Sequence, residues 1–151
     1  MNNSQELAKT EDRVARWIKQ ANFSSDTKVE FLAGDASDRR FARVIPPKSR
    51  TSILVVHNHS IDPTQLPMLQ VTELFRKLPV NVPTIHSITP ELGIVVLEDL
   101  GDTTLESAVS KSTNEQRTSY YQEAVNIIGS IQRGSRHSSK TENIAFSVAF
   151  D

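Results

Sequence analysis

From Ser4 to about Ala21 the apolar residues Leu7, Val14, Trp17, Ile18 and Ala21 recur near helical spacing with charged residues between them, which predicts an amphipathic helix. After a polar, turn-like stretch from Asn22 to Thr27 the period changes. Val29 and Phe31 alternate with charged neighbours, so Lys28 to Ala33 reads as a strand; Phe41 to Ile45 reads as a second. Pro46 to Arg50 is a turn, and Ser52 to Val56 is a continuous apolar run that predicts a central strand buried on both faces. Asp62-Pro63-Thr64-Gln65 has the chemistry of a helix start, with Asp62 as N-cap, Pro63 at the first position and Gln65 placed for a capping box. That helix is expected to run to about Lys77, with Val71, Leu74, Phe75 and Leu78 on the face that packs against the sheet.

Two further strands are predicted at Thr84 to Ile88 and Ile94 to Leu97, joined by a turn from Thr89 to Gly93. The acidic segment Glu98-Asp99-Leu100-Gly101-Asp102 ends the second. A short helix near Thr104 to Val109 and a long one from about Thr113 to Arg133 follow. Ser112 and Glu115 are read as the capping box of the long helix, and Tyr121, Ala124, Val125 and Ile128 as its core-facing side. Gly134 to Asn143 is polar and loop-like, and Ile144 to Phe150 is apolar again, a segment that needs a partner surface. The expected fold is α+β: a five-stranded antiparallel sheet with one packed helix, a leading helix and trailing helices.

Composition removes several functions. The chain has 151 residues with 17 basic and 18 acidic side chains, a formal net charge of −1, so no overall field draws it to nucleic acid or an anionic membrane. The local cluster Arg39, Arg40, Arg43, Lys48 and Arg50 lacks interleaved aromatic residues beyond Phe41. No nucleic-acid or membrane partner is therefore expected. There is no cysteine, which excludes disulfides and thiol chemistry and agrees with a reducing, cytoplasmic location. The first residues have neither the basic flank nor the apolar core of a signal peptide.

The candidate chemistry lies in Gly34-Asp35-Ala36-Ser37-Asp38-Arg39-Arg40-Phe41, between the first two strands. Gly34 tolerates positive φ and the small side chains of Ala36 and Ser37 leave backbone N–H groups uncovered, so successive amides can converge on an anion while Arg39 and Arg40 add charge. A nucleotide triphosphate tail suits such a loop; a plain surface hairpin tip is the alternative. His57 and His59 would share a face if the third strand continued through them, but the sequence offers no third metal ligand nearby.

The strings Leu32-Ala33-Gly34-Asp35-Ala36-Ser37-Asp38-Arg39-Arg40-Phe41 and Val96-Leu97-Glu98-Asp99-Leu100-Gly101-Asp102, in this order of elements, resemble the N-terminal lobe of the kinase-like fold. The wording is similar to the aminoglycoside phosphotransferase superfamily, and within it to bacterial kinases of the cell-wall amino sugars N-acetylmuramate and N-acetylglucosamine. The resemblance implies an N-terminal helix over 1–26, a nucleotide-binding lobe over 27–100, and a hinge with the start of an incomplete helical lobe over 101–151. It further implies ATP as cofactor, bound by Gly34, Ala36, Ser37, Arg39 and Arg40, with the base edge on the hinge backbone at Glu98 and Leu100. Kinases ordinarily carry a lysine on the third strand, paired with a helix glutamate. Here His57 stands near that position and Glu73 is the helix carboxylate expected nearest the site. The catalytic aspartate and the Mg²⁺ ligands belong to the lobe expected beyond Asp151, and no catalytic role passes to Asp99, Asp102 or Asp151. The implied function is the nucleotide-binding part of a sugar or aminoglycoside phosphotransferase, inactive alone. A non-catalytic interaction module, with self-association through an exposed sheet face or the apolar tail, is the alternative.

Overall fold

The structure, a computed structural model, describes residues 3–32 and 39–137. The elements are α1 (Asn3–Gln20), β1 (Lys28–Phe31), β2 (Arg39–Ile45), β3 (Ser52–His57), α2 (Pro67–Arg76), β4 (Ile85–Thr89), β5 (Ile94–Glu98), α3 (Leu105–Ser110) and α4 (Asn114–His137), with 3-10 turns at Pro63–Gln65 and Pro90–Leu92. The fold is α+β, with a five-stranded sheet in the order β1-β2-β3-β5-β4 and every neighbouring pair antiparallel. The chain forms two compact units: α1 with the sheet makes one, and α2, α3 and α4 fall in the other.

Pairing register sorts the strand residues between two faces, because directly opposed residues point the same way and neighbours along a strand point apart. Ala42 and Val44 on β2, Leu54 and Val56 on β3, and Ile94 and Val96 on β5 share the first face. Val14 and Trp17 of α1 join them, with Leu92, in one buried cluster, and Ile18, Phe23 and Val29 pack around it. The helix covering this face is thus α1. On the second face Val55 and Val95 are also buried, so β3, the central strand, is covered on both faces as its apolar run predicts, and β5 beside it is too.

The end of α1 is set by local chemistry. Asn22 adopts a left-handed φ of 54°, its N–H donates to Lys19 O, and the Phe23 N–H donates to Ile18 O, which together form a Schellman stop. Phe23 then folds its ring back to 5.4 Å from that of Trp17. A second fastening comes from Arg13, whose Nη1 donates to Leu92 O at 2.9 Å and His57 O at 3.3 Å while Nη2 donates to Asn58 O at 3.0 Å. One guanidinium thereby ties α1 to the exit of β3 and to the β4–β5 connection.

Several boundaries differ from the sequence reading. Asp62 does cap, its carboxylate accepting from the Thr64 N–H at 2.9 Å, but it opens a 3-10 turn and no continuous helix. Pro67 is the reason: it holds Leu66 in an extended conformation and itself becomes the first residue of α2. At α4 the capping box is Thr113 with Gln116, one residue beyond the expected Ser112 and Glu115; the Thr113 hydroxyl accepts from Gln116 N while the Gln116 side chain accepts from Thr113 N. The expected core face of α4 is largely solvent-facing, with Tyr121, Val125 and Ile128 more than half exposed. β2 begins at Arg39, two residues earlier than predicted, because β3 extends to His57 and supplies its pairing partner. The helix α2 that carries the expected apolar stripe belongs to the second unit, and of that stripe Leu74 is buried.

Candidate functional site

The sheet face opposite α1 carries the candidate chemistry in three registered rows. Arg39 stands opposite His57; Phe41 opposite Val55, which is opposite Val95; Arg43 opposite Ile53, which is opposite Leu97. The face therefore runs from an arginine–histidine row through an apolar middle to an edge beside the segment after β5. At that edge Arg43 and Asp99 form an ion pair, Nε lying 2.8 Å from Oδ2 and Nη2 donating to Oδ1 at 3.2 Å. Their side chains are 13% and 6% exposed, so this is a desolvated ion pair held by one hydrogen bond, with Nε close to the carboxylate but outside hydrogen-bond geometry. It spans β3 on this face and holds the first residue beyond β5 against β2.

Gly34, Ala36 and Ser37, the expected phosphate-loop residues, lie outside the described residues. Arg39 and Arg40 fall on β2, and as strand neighbours they occupy opposite faces: Arg39 beside His57, Arg40 opposite Val56 on the α1 side. Glu98 ends β5, and its main-chain N–H is already donated to Thr84 O at 2.8 Å. Its carboxylate accepts from the Thr84 N–H at 3.0 Å, and this bond is the leading cause that holds the carboxyl below the usual range. The side chain is exposed and ties the end of β5 to the approach of β4. Leu100 presents a side chain that is 69% exposed. Glu73 pairs with Arg76 at 3.2 Å on the exposed side of α2.

His57 closes β3. Its N–H donates to Gly93 O at 2.8 Å, and its ring Nε2 is buried without a hydrogen-bond partner among the described residues. Burial lowers the imidazole pKa first, and the charges of Arg39 and His59 lower it further. His59 lies past the strand end and not on it, with ring centroids 6.3 Å apart and its Nδ1 2.6 Å from Ser60 O. Among the described residues no third ligand joins this pair. Because the unfolded chain binds this proton more readily than the folded one, stability rises with pH through the window below about 6.5 and is lost on acidification there. The thermal midpoint is expected to fall between pH 7 and pH 5.5 more steeply for the native chain than for His57→Gln; equal slopes would remove His57 as the cause.

Sequence reasoning missed Arg43–Asp99 and Arg13. Arg43 carried a signal, since it sits two residues from Phe41 and four from Arg39, all at period 2. Its carboxylate partner 56 positions away had none.

No protein-family model matches the chain, and no solved structure matches it. It is 29% identical over 125 residues to an N-acetylmuramate/N-acetylglucosamine kinase of Neisseria meningitidis serogroup B. That stretch is 82% of this chain and 36% of the relative, so the chain spans about a third of the kinase it matches. The similarity supports a kinase-related origin. No helix among the described residues is long and apolar enough to cross a membrane.

Proposed function

We propose that this chain is the nucleotide-binding part of an ATP-dependent phosphotransferase of the sugar or aminoglycoside type, with a kinase-like N-terminal lobe and with an amino sugar as the acceptor class. The observation that carries the reading is the graded sheet face: a cationic row beside the loop, an apolar middle, and a main chain held by Arg43–Asp99 at the far edge. Phosphoryl transfer asks the protein chiefly for positioning and for neutralisation of phosphate charge, and this face offers both in the order a nucleotide needs. In this reading Gly34, Ala36 and Ser37 supply amides to the triphosphate, with Arg39 as the flanking cation on this face and Arg40 at the same end of β2 on the other. The base edge lies against the main chain at Glu98 and Leu100. With the Glu98 N–H given to Thr84, the hinge donor is the Leu100 N–H, and Glu98 contributes its carbonyl. The donor set fits ATP: amides, guanidiniums and a buried imidazole nitrogen that has no hydrogen-bond partner among the described residues favour an anionic tail.

Thermal denaturation with and without MgATP tests this. A ligand at one hundred times its Kd stabilises by about 2.7 kcal/mol, a shift of several degrees, and replacing Arg39 and Arg40 together is expected to abolish it. No shift at millimolar nucleotide would overturn the reading. It would leave the interaction module, which one feature favours: Tyr121, Val125 and Ile128 form an exposed apolar stripe on α4. Concentration-dependent association, measured by light scattering and lost in Val125→Lys, would then identify that stripe as the contact.

A further inference from the structure

We infer that Arg39 and His57 together form the subsite for the first phosphates of the nucleotide, the arginine on β2 taking the place of the lysine that kinases carry on the third strand. The inference rests on the nucleotide-binding reading and assigns a division of labour within it.

The geometry begins with register. Arg39 is the direct cross-strand partner of His57, so their Cβ atoms stand about 4.5–5.5 Å apart and their side chains leave the sheet on the same side. Arg39 acts electrostatically on the His57 ring, which places the guanidinium and the imidazole in one neighbourhood. At a third-strand lysine one side chain provides both constant charge and hydrogen-bond donors. Here the two properties are separated. The planar fork of the Arg39 guanidinium matches two phosphate oxygens, whereas His57, its pKa lowered by burial, adds one N–H donor without a second full charge to desolvate.

His57 Nε2 is the second observation. It is shielded from solvent and no donor or acceptor among the described residues meets it, an arrangement folded proteins rarely keep unless a ligand or water completes it. Its surroundings are also fixed. The His57 N–H is bonded to Gly93, its carbonyl receives Arg13, and Arg13 holds the next carbonyl, Asn58 O, as well. The imidazole therefore projects from a pinned main chain, which gives a donor the definite position that recognition of a phosphate requires.

Spacing along the face agrees. From Ile53, beside the hinge end of β5, to His57 is four strand residues, about 13 Å. A purine at the hinge end would lay its sugar over Phe41 and Val55 and bring its first phosphates to the arginine–histidine row.

Isothermal titration of the full 151-residue chain with ADP and, separately, adenosine distinguishes the subsite from the site. Arg39→Gln is expected to weaken ADP binding about tenfold or more while leaving adenosine unchanged, since a charge-assisted bond to phosphate is lost and nothing at the base is. His57→Leu should weaken ADP alone by a smaller factor, and His57→Gln, which keeps an N–H donor, should recover part of that loss. If the native chain binds ADP and neither variant alters the ratio of ADP to adenosine affinity, the subsite is wrong and the nucleotide reading stands. Equal loss of both ligands would equally overturn the subsite, by showing a structural effect. Failure of the native chain to bind either ligand would overturn both.

Discussion

Asp99→Ala is expected to destabilise the protein by about 3–5 kcal/mol, because it leaves the Arg43 guanidinium in a desolvated position without its carboxylate. At a few degrees per kcal/mol for a chain of this size, the thermal midpoint should fall on the order of 10 °C. The cost comes from the orphaned charge more than from the lost attraction. A double variant, Arg43→Met with Asp99→Leu, removes both charges and fills the same space, and should therefore return close to native stability. The double-mutant cycle is consequently expected to show strong coupling between positions 43 and 99. An Asp99→Ala cost below about 1 kcal/mol, as for exposed ion pairs, would show that the contact is solvated and holds nothing in place. The pair bears on function as well as stability, since it fixes Asp99, the residue between the two proposed hinge positions. In the double variant, stability and ADP affinity should part company: the fold recovers, while nucleotide binding remains weakened by a looser hinge.

The second large effect is at Gly93. This residue ends the 3-10 turn Pro90–Leu92 in a left-handed conformation, φ 65° and ψ 33°, with its N–H donated to Pro90 O at 3.0 Å. An added Cβ would overlap the His59 carbonyl oxygen, a main-chain atom, and would lie 3.0 Å from Arg13 Nη1. Gly93→Ala thus combines left-handed strain with displacement of a loop that Arg13 and Pro90 hold in place, and a loss of about 3 kcal/mol or more is expected. Gly101 is the control. Its φ is 78°, but an added Cβ there meets nothing within 4 Å, so Gly101→Ala should cost only the conformational strain, about 1–2 kcal/mol. Denaturant titration of the two variants separates steric overlap from backbone strain; equal costs would mean that the loop after β3 yields easily. Because the same overlap would push against the exit of β3, Gly93→Ala should also disturb His57, whose N–H is bonded to Gly93 O.

Much of the architecture was legible locally. Period-2 stretches placed all five strands to within a few residues, and helical spacing placed Val14 and Trp17 on the buried side of α1. Such patterns are readable because side-chain direction follows from backbone geometry over two to four residues. The caps were less legible. Asp62 was recognisable as a cap, yet Pro67 decided where the helix began; Ser112 and Thr113 are adjacent hydroxyl residues, and sequence could not choose the one whose side chain meets the helix amides. At the candidate site the adjacent pair Arg39 and Arg40 was evident, but their placement on opposite faces required knowing that β2 already begins at Arg39.

What the sequence determined by itself is therefore the list of elements and the inward side of each, together with the residue types available for an anion: glycine and small residues between the first two strands, arginines beside them, a histidine after the apolar run of the third strand. Only the tertiary structure decided that β5 inserts between β3 and β4, that α1 covers the sheet, that Arg13 fastens carbonyls 44, 45 and 79 positions away, and that Arg43 meets Asp99. The physical reason is one of range. Backbone sterics, capping and periodicity act between neighbours in the chain, whereas the partner of a buried charge or an orphan carbonyl is chosen by which distant segments are brought together when the whole sheet closes its hydrogen bonds and buries its apolar faces.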